Sequence, residues 1–347
     1  MIGMAVVGYG YWGPNLVRNL WETPGVSLVS VCDLRVERLA TVRTRYPTVE
    51  TTDDYDALLQ DPRIDVVAVA TPVSSHYLLA LRALQAGKHV FIEKPMTATT
   101  EQAQRLVDEA RRRNLVIGVD HTFIYTGAVR KMRELVEAGD LGEVYYYDST
   151  RVNLGLFQHD VNVIWDLAVH DLAIMDYVLP GQLPVAVSAT GLAHLPGEPE
   201  NIAYLTVFFA GNLIAHVNVN WLAPVKVRRT LLGGSRKMIV YDDLEPSEKI
   251  KVYDKGITVN GASPQDGEKK YQMLVGYRAG DMWAPQLEIT EALAVELKQF
   301  VSCVEQRLAP LTDGEAGLRV VRILEAATRS MADRGKVVEL ESVGQTV

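Results

Sequence analysis

The sequence predicts an α/β protein with two parts: an amino-terminal doubly wound parallel sheet and a carboxyl-terminal α+β domain whose sheet is open and mostly antiparallel. Three observations predict this class. Apolar strands alternate with amphipathic helices up to about residue 120, and a glycine-rich turn follows the first strand. Beyond residue 120, strand-like segments are joined by short glycine-containing turns, as in antiparallel hairpins. We therefore divide the chain into domains 1–121 and 122–347.

The first thirty-three residues organise the amino-terminal part. Residues 4–7 are an apolar strand, residues 8–13 read Gly-Tyr-Gly-Tyr-Trp-Gly, and residues 14–21 have helical periodicity. A second apolar strand, residues 26–31, ends close to Asp33. A strand, a G-x-G-x-x-G turn, a helix, a strand and an acid in this order indicate a dinucleotide-binding site. The alternative is a structural turn with an incidental acid.

Each part of this motif has a physical role. Gly8 permits the tight turn, Gly10 lets a pyrophosphate approach the backbone, and Gly13 lets the helix pack close to the strand. The helix amino terminus offers N–H groups and its positive dipole end to the phosphates. Asp33 can accept the adenine ribose hydroxyls and disfavours a 2′-phosphate, so NAD is expected rather than NADP. Arg35 follows closely and could weaken that preference.

The composition limits the classes of function. A chain of 347 residues predicts two domains, and 48% apolar with 22% charged residues is ordinary for a globular enzyme. The net charge of −8 argues against nucleic acid or an anionic membrane as a general partner. Cys32 and Cys303 supply no disulfide framework or metal set, so we expect buried thiols in a reducing cytoplasm. No signal peptide or membrane-spanning segment is expected.

The rest of the amino-terminal part follows the same periodicity. The β-branched run at residues 64–70 is typical of a strand buried on both faces, and Gly87 ends the next helix. We predict helices at 36–46, 55–59, 75–86 and 101–114, and strands at 89–92 and 115–119. Ligands of such sheets bind beyond the carboxyl ends of the strands. The residues at those ends are Gly8, Asp33, Thr71, Glu93, Lys94, Asp120 and His121.

The carboxyl-terminal part mixes helices with a run of strands. We predict helices at 126–138, 162–178, 287–307 and 315–334, and strands at 143–153, 185–192, 202–209, 213–222, 227–233, 236–241, 249–253 and 336–340. Turns at residues 210–212 and 233–235 indicate hairpins. Residues 254–285 have the composition of a long surface loop.

One face of the open sheet is apolar and must be buried against another part of the protein or a partner. The apolar strands near residues 205–209 and 214–221 predict that this face packs on a second subunit, as a homodimer or homotetramer. The alternative is that the segment 254–285 covers it.

Two groups of residues could carry chemistry. Asp166 and His170 are four residues apart on a predicted helix, so the carboxylate can orient the imidazole as a general acid or base. Lys94 closes an apolar strand at the ligand end, between Glu93 and Pro95, where its ammonium could polarise a hydroxyl or ketone oxygen. The alternatives are a histidine without a role and an ordinary strand-end lysine.

Other site types are less well supported. His121, His159 and Asp160 could form a metal site with Asp166 and His170, but no local metal-binding pair anchors it, so no metal is expected. No G-x-S-x-G turn supports a hydrolase. Basic residues such as Arg151 could hold a phosphate or carboxylate, although exposed strand charges are the commoner explanation.

These motifs together resemble the Gfo/Idh/MocA oxidoreductases, which include glucose–fructose oxidoreductase and inositol dehydrogenase. The resemblance rests on residues 8–13, on Ala-Thr-Pro at 70–72 with His76, on residues 86–90 leading into Glu-Lys-Pro at 93–95, and on Asp166-x-x-x-His170. It implies a Rossmann domain, NAD, and oligomers formed through the open sheet. It also implies that Lys94 and His170 are the acid/base and substrate-orienting pair and that Asp166 positions both substrate and histidine.

Residues 119–127 and 151–165 look like the nucleotide-sugar branch of that family, whose members oxidise the 3-hydroxyl of UDP-N-acetylglucosamine or its uronic acid. The resemblance implies that the catalytic residues are Lys94, His170 and Asp166. The expected cofactor-binding residues are Gly8, Gly10, Tyr11, Trp12, Gly13, Asp33, Leu34, Arg35, Thr71, Pro72, His76, Glu93 and Lys94. The expected substrate-binding residues are Lys94, His121, Tyr125, Arg151, Asn153, Asp166 and His170.

Three functions follow as hypotheses. The first is a cytoplasmic NAD-dependent dehydrogenase of a UDP-sugar, acting on a CH–OH group. The second is a dehydrogenase of a free sugar or inositol. The third, from another class, is a protein that binds NAD as a sensor and performs no redox step.

Overall fold

The computed structural model describes residues 1–155, 161–259 and 275–340. The chain forms two compact units, Met1–Thr126 with Ile289–Glu325 and Gly127–Glu288 with Ala326–Val347. The first holds a six-stranded parallel sheet and the second a nine-stranded, mostly antiparallel sheet, which confirms the predicted fold class. The division at residue 121 stays a prediction about domains.

The first unit alternates strands and helices. Its elements are β1 (Ile2–Val7), α1 (Gly13–Glu22), β2 (Val26–Cys32), α2 (Val36–Arg45), β3 (Glu50–Thr52), α3 (Tyr55–Gln60), β4 (Val66–Val69), α4 (Val73–Gln85), β5 (His89–Glu93), α5 (Thr100–Arg113) and β6 (Ile117–Asp120), then a 3₁₀ turn (Thr122–Tyr125). The strand order is β3-β2-β1-β4-β5-β6, all parallel. The chain direction across the sheet therefore reverses beside β1, where such sheets bind ligands.

A distant helix completes the core of this unit. Helix α8 (Ala292–Gln306) contributes Leu297 and Phe300 to a cluster that also holds Val6 and Phe91. The Phe91 and Phe300 rings lie 5.1 Å apart, centroid to centroid. A Cβ on Gly118 would lie 2.6 Å from the Phe300 ring, so the close packing of α8 on the sheet depends on that glycine.

The second unit is built on the mixed sheet. Its elements are α6 (Gly127–Glu137), β7 (Val144–Leu154), α7 (Val169–Val178), β8 (Pro184–Leu192), β9 (Ile202–Phe209), β10 (Ile214–Asn220), β11 (Leu222–Gly234), β12 (Met238–Asp242), β13 (Ile250–Tyr253), β14 (Gly256–Val259), β15 (Val275–Arg278), β16 (Met282–Trp283) and β17 (Val338–Glu339). Helix α9 (Gly314–Ala332) supplies residues to both units. The strand order is β16-β13-β12-β11-β7-β10-β9-β8-β17, with β7 and β10 parallel.

The predicted hairpins are confirmed. Residues 210–212 join β9 to β10 and residues 233–235 lie at the turn from β11 to β12, and both strand pairs are antiparallel. Gly211 has a φ of +98°, a conformation that side chains disfavour.

Three local expectations were wrong. The segment 254–285 is not only loop, because it contains β14, β15 and β16; its residues 260–274 lie outside the described residues. The helix expected at 162–178 begins as a π-helical turn, Ile164–Ala168, in which the Val169 N–H donates to the Ile164 carbonyl oxygen five residues earlier, while the Asn162 side chain caps its start. The three-residue strand β3 was missed, since so short a segment has no readable periodicity.

Within the described ranges 1–155, 161–259 and 275–340, none of the helices has the length and apolarity to cross a bilayer.

Candidate functional site

The glycine turn after β1 has the close contacts that its sequence predicts. Gly8 has a φ of +97°, and a Cβ there would lie 2.5 Å from the Ala70 carbonyl oxygen. A Cβ on Gly13 would lie 2.2 Å from the Gly8 carbonyl oxygen. A side chain at Gly8 would push the end of β1 away from the end of β4, and one at Gly13 would push α1 away from the turn after β1. The turn therefore requires glycine for packing as well as for approach to a phosphate.

Trp12 links the turn to another strand end. It stands at the amino terminus of α1, where its side chain makes no capping hydrogen bond. Its indole N–H instead donates to Asp120 Oδ2 over 2.5 Å. Asp120 is the last residue of β6, so this bond ties the glycine turn to the far edge of the parallel sheet.

Asp33, the acid after β2, is engaged by three donors. Oδ2 accepts the Tyr9 N–H at 2.7 Å and the Arg38 guanidinium at 3.3 Å, and Oδ1 accepts the Arg35 N–H at 2.8 Å. Burial tends to raise the pKa of Asp33, but these N–H groups and the Arg38 charge outweigh it and lower the pKa. Asp33 is therefore ionised, as an acceptor for ribose hydroxyls must be. Arg38 was not among the site residues predicted from the sequence.

A buried histidine holds the ends of β4 and β5 together. The His76 ring nitrogens lie 2.7 Å from the Thr71 carbonyl oxygen and 3.0 Å from the Pro95 carbonyl oxygen. Lys94, between β5 and Pro95, is half-buried, and its N–H donates to Glu93 Oε2. His76 thus fixes the backbone on which Lys94 stands.

A pair of carboxyl groups lies between the end of β6 and helix α8. Asp120 and Glu296 on α8 are both buried, and Glu296 Oε1 accepts the His121 N–H and the Thr312 hydroxyl. Within the described part of the chain, no N–H or O–H group donates to Glu296 Oε2. Burial first, and then the charge of Asp120, raises the pKa of Glu296 well above its ordinary value of 4.5. The raised pKa keeps Glu296 protonated near neutral pH, and the neighbouring Asp120 carboxylate can accept that proton's hydrogen bond.

This proton predicts a pH dependence of stability. The folded chain keeps a proton on Glu296 that the unfolded chain releases above about pH 4.5, so the free energy of unfolding should fall as pH rises toward the folded-state pKa. The slope from this group should be at most about 1.4 kcal/mol per pH unit. Glu296→Gln supplies an N–H donor to Asp120 at every pH and should remove that slope.

The measurement is a set of urea unfolding curves from about pH 5 to about pH 9. Glu305→Gln, which alters an exposed carboxylate on the same helix, should keep the wild-type dependence. A Glu296→Gln variant whose stability still falls with pH as steeply as the wild type would place the proton elsewhere.

His121 and Tyr125 differ in how the structure engages them. The Tyr125 hydroxyl donates to Gln299 Oε1 at 2.6 Å, so that phenol is bonded within its own unit. His121 is 2% exposed, and among residues 1–155, 161–259 and 275–340 neither ring nitrogen has a hydrogen-bond partner. Burial, and then the Lys94 charge, lowers the pKa of His121 to about 3. Its ring is neutral near pH 7 and can both donate and accept.

The second unit places Asp166 and His170 on consecutive helical segments. Asp166 lies in the π-helical turn, and its Oδ2 accepts the Trp221 indole N–H at 3.0 Å. His170 is half-buried in the first turn of α7. The indole bond fixes the Asp166 carboxylate, and π-helical turns are frequent at functional sites.

Arg151 lies in a buried ion pair rather than on an exposed strand. Its Nε donates to Asp171 Oδ2 at 2.6 Å, and both side chains are 3% exposed. Ser149 donates to Asp171 Oδ1, and the Tyr147 hydroxyl donates to the Asp171 carbonyl. Burial tends to lower the pKa of Arg151, but the charge and the hydrogen bond of Asp171, with smaller contributions from Tyr241 and Asp243, together raise it. The pair anchors the start of α7, beside His170, to β7.

The two units therefore hold different parts of the expected site. At the strand ends of the first unit stand Gly8, Gly10, Tyr11, Trp12, Gly13, Asp33, Leu34, Arg35, Thr71, Pro72, Glu93, Lys94 and His121. The second unit carries Arg151, half-buried Asn153, Asp166 and His170. His159 and Asp160, named in the metal alternative, lie outside the described residues. Arg38, Glu296 and Asp171 were not predicted from the sequence, and only Arg38 has a local signal, a basic side chain shortly after the acid.

The strand ends of the first unit fit a dinucleotide. The backbone at Gly8 and Gly13 tolerates no side chain, α1 begins directly after the turn, and Asp33 is ionised. These features suit a diphosphate at the helix amino terminus and a ribose at the acid.

Family models match both parts of the chain. The model described as oxidoreductase family, NAD-binding Rossmann fold, of the Gfo/Idh/MocA group matches residues 2–121. The model of the Gfo/Idh/MocA carboxyl-terminal domain matches residues 129–240.

Relatives match over most of their length. UDP-N-acetylglucosamine 3-dehydrogenase of Acidithiobacillus ferrooxidans is 30% identical, covering 85% of this chain and 86% of that one. Myo-inositol 2-dehydrogenase of Thermotoga maritima is 22% identical over 98% of this chain and 99% of that one. The crystal structure of GenD2 from gentamicin A biosynthesis in complex with NAD has a TM-score of 0.81 at 23% identity, covering 98% of this chain and 97% of that one.

Proposed function

Because this chain belongs to the Gfo/Idh/MocA family of NAD-binding oxidoreductases, which act on CH–OH groups of sugars and polyols, we propose that it oxidises the 3-hydroxyl of a UDP-sugar such as UDP-N-acetylglucosamine or its uronic acid. The observation that carries this choice is the 30% identity to a UDP-N-acetylglucosamine 3-dehydrogenase over 85% of the chain. The lower identity to the inositol dehydrogenase keeps a free polyol as the second candidate.

The proposed roles divide between two side chains. When bound, NAD accepts the hydride from the substrate carbon. The Lys94 ammonium orients the reacting hydroxyl and polarises its oxygen. His170 takes the hydroxyl proton as the carbon loses its hydride, and Asp166, held by the Trp221 indole, positions the substrate and the imidazole. The parts that would hold NAD are the glycine turn, Asp33 and the backbone at the strand ends that carry Thr71 and Lys94.

His121 supports a polar, uncharged substrate group beside Lys94. Its ring is buried and neutral, and neither nitrogen has a hydrogen-bond partner within the described structure. Such an arrangement is costly unless a ligand completes it. A sugar hydroxyl, which both donates and accepts, suits this ring better than a phosphate, which needs a charged donor. We assign His121 to substrate binding. Tyr125 and Arg151, already bonded within the protein, are assigned to positioning.

A second subunit is part of the proposal. On β9 and β10, Leu205, Val207 and Val217 are buried while alternate residues face outward. The outward face presents exposed apolar side chains at Tyr146, Leu192, Tyr204 and Ile214. A second copy of the chain would bury them, as a homodimer or homotetramer. We also assign the enzyme to the cytoplasm, to which its two free, buried cysteines are suited.

A substrate panel tests this function. With NAD present, UDP-N-acetylglucosamine or its uronic acid should give NADH, and UDP alone should inhibit competitively, because a UDP-sugar site binds the uridine diphosphate independently of the sugar. Turnover of inositol without inhibition by UDP would favour the polyol enzyme. Bound NAD without turnover of any sugar in the panel would favour the sensor.

A further inference from the structure

Glu296 holds the backbone of a residue that we assign to substrate binding. Its side chain is fully buried on α8, and Oε1 accepts the His121 N–H at 3.1 Å. The His121 ring is 2% exposed, and neither of its nitrogens has a hydrogen-bond partner in the part of the chain that the structure describes. Hydrogen bonds within the protein therefore fix this residue through its backbone and leave both ring nitrogens for a ligand.

Asp120 fixes Glu296 in turn. The Asp120 carboxylate accepts the Trp12 indole N–H at 2.5 Å and also accepts the Thr122 hydroxyl. Hydrogen bonds from these donors favour the carboxylate form of Asp120, while Glu296 is the protonated member of the pair and can donate to it. The two donors belong to the start of α1 and to the 3₁₀ turn after β6, so Asp120 cannot turn freely. Glu296 thus has a fixed acceptor for its proton.

The bond to His121 serves position more than satisfaction of a donor. The His121 N–H also donates to the Val119 carbonyl oxygen at 2.7 Å, so it remains paired when Glu296 is absent. The same helix otherwise buries apolar side chains such as Leu297 and Phe300, and a buried carboxyl pair has a desolvation cost that apolar side chains avoid. Glu296 supplies what they cannot, a connection between α8 and the backbone of His121.

The position of His121 matters because of Lys94. Glu93 on β5 is the register partner of Asp120 on β6, so Lys94 and His121 are the next residues along two adjacent parallel strands. The Lys94 charge, after burial, lowers the pKa of His121, as expected for neighbouring groups. A shift of the His121 backbone would therefore change the spacing of two side chains that we place on the substrate.

We propose that Glu296 is a positioning residue for substrate recognition, which acts through the His121 N–H to keep the His121 ring beside Lys94, while Asp120 fixes Glu296 relative to the glycine turn. The inference rests on the proposed function, because it takes His121 as a contact of the substrate. Since Glu296 is fully buried, it affects the sugar through His121 and not by direct contact. Its loss should weaken the binding of the sugar and spare that of NAD.

The test measures kcat and KM for the sugar that the wild type oxidises, and the dissociation constant of NAD by titration calorimetry, on the full chain. Glu296→Met removes the carboxyl bonds with a side chain of similar volume. It should raise KM about tenfold, change kcat less than about threefold and leave the NAD constant within about twofold. Glu296→Gln, whose amide can accept the His121 N–H and donate to Asp120, should keep KM within about twofold of the wild type.

A double-variant cycle tests whether Glu296 acts through the ring. His121→Ala should raise KM about tenfold or more, and adding Glu296→Met should then raise it less than about twofold further, because the group to be positioned is gone. Glu296→Asp, which withdraws the carboxyl by one methylene, goes through the same cycle and decides the question if the methionine variant does not fold. Phe300→Leu, a core substitution on the same helix, should lower stability and leave KM unchanged.

The outcomes distinguish this inference from the function on which it rests. An equal rise in KM with and without the His121 ring would mean that Glu296 does not act through it, and the proposal would be wrong. A rise in KM as large in Phe300→Leu as in Glu296→Met would assign the effect to stability and also overturn it. A wild type that oxidises no sugar contradicts the proposed function and this inference together. Turnover with an unchanged KM in Glu296→Met contradicts this inference alone.

Discussion

Replacing Lys94 with alanine should lower kcat about 10²–10⁴-fold while leaving the dissociation constant of NAD within about threefold of the wild type. Lys94 directly follows β5, and the His76 ring holds the backbone on either side of the loop that carries it. The loss of its side chain removes the charge beside the reacting oxygen and leaves the glycine turn and Asp33 intact. Lys298→Ala, on the exposed face of α8, should change neither quantity.

A double variant tests whether Lys94 and His170 act on the same carbon. If they do, Lys94→Ala/His170→Ala should lose little more activity than the poorer single variant, because each residue is useful only with the other. Independent roles would make the two losses multiply. The readout is single-turnover formation of NADH from the proposed UDP-sugar, followed by its near-ultraviolet absorbance. Near wild-type rates of NADH formation in both single variants would contradict the proposed mechanism.

The parallel sheet was predictable because its signals are local. A buried strand, a glycine turn and an acid all occur within thirty-three residues, and each has a requirement that the structure shows in physical terms. The hairpins of the mixed sheet were predictable for the same reason, since turns such as residues 210–212 are read from composition. Short strands such as β3, and the π-helical turn before α7, depend on neighbours rather than on their own residues.

The buried charges of the site were not predictable. Glu296 and Asp120 pair although more than 170 residues separate them in the sequence, and Asp171 on α7 pairs with Arg151 on β7. Residue type alone favours an exposed side chain for all four. Tertiary pairing reverses that preference, and a single sequence carries no record of the pairing. The same limit explains why Arg151 was expected to hold a ligand or face solvent.

Replacing Arg151 with methionine should lower the free energy of unfolding by about 3–5 kcal/mol, because it leaves the Asp171 carboxylate buried without its cation. The pair is 3% exposed on both sides, so water cannot compensate the charge. Urea unfolding measures the effect. Arg229→Met breaks a cross-strand pair with Asp242 in the same sheet, in which the arginine is 56% exposed, and should cost less than about 1 kcal/mol.

The double variant Arg151→Met/Asp171→Leu separates folding from positioning. Replacement of both charges by apolar side chains should restore stability to within about 2 kcal/mol of the wild type, since the desolvation cost of the pair disappears with it. The double variant also removes the carboxylate that accepts from the Ser149 hydroxyl. A shift of the start of α7 would move the backbone carbonyl that accepts from the Tyr147 hydroxyl. If the pair serves only stability, the folded double variant should have the wild-type pH profile of kcat. If it positions His170, which precedes Asp171 on α7, the double variant should fold and still show an altered profile.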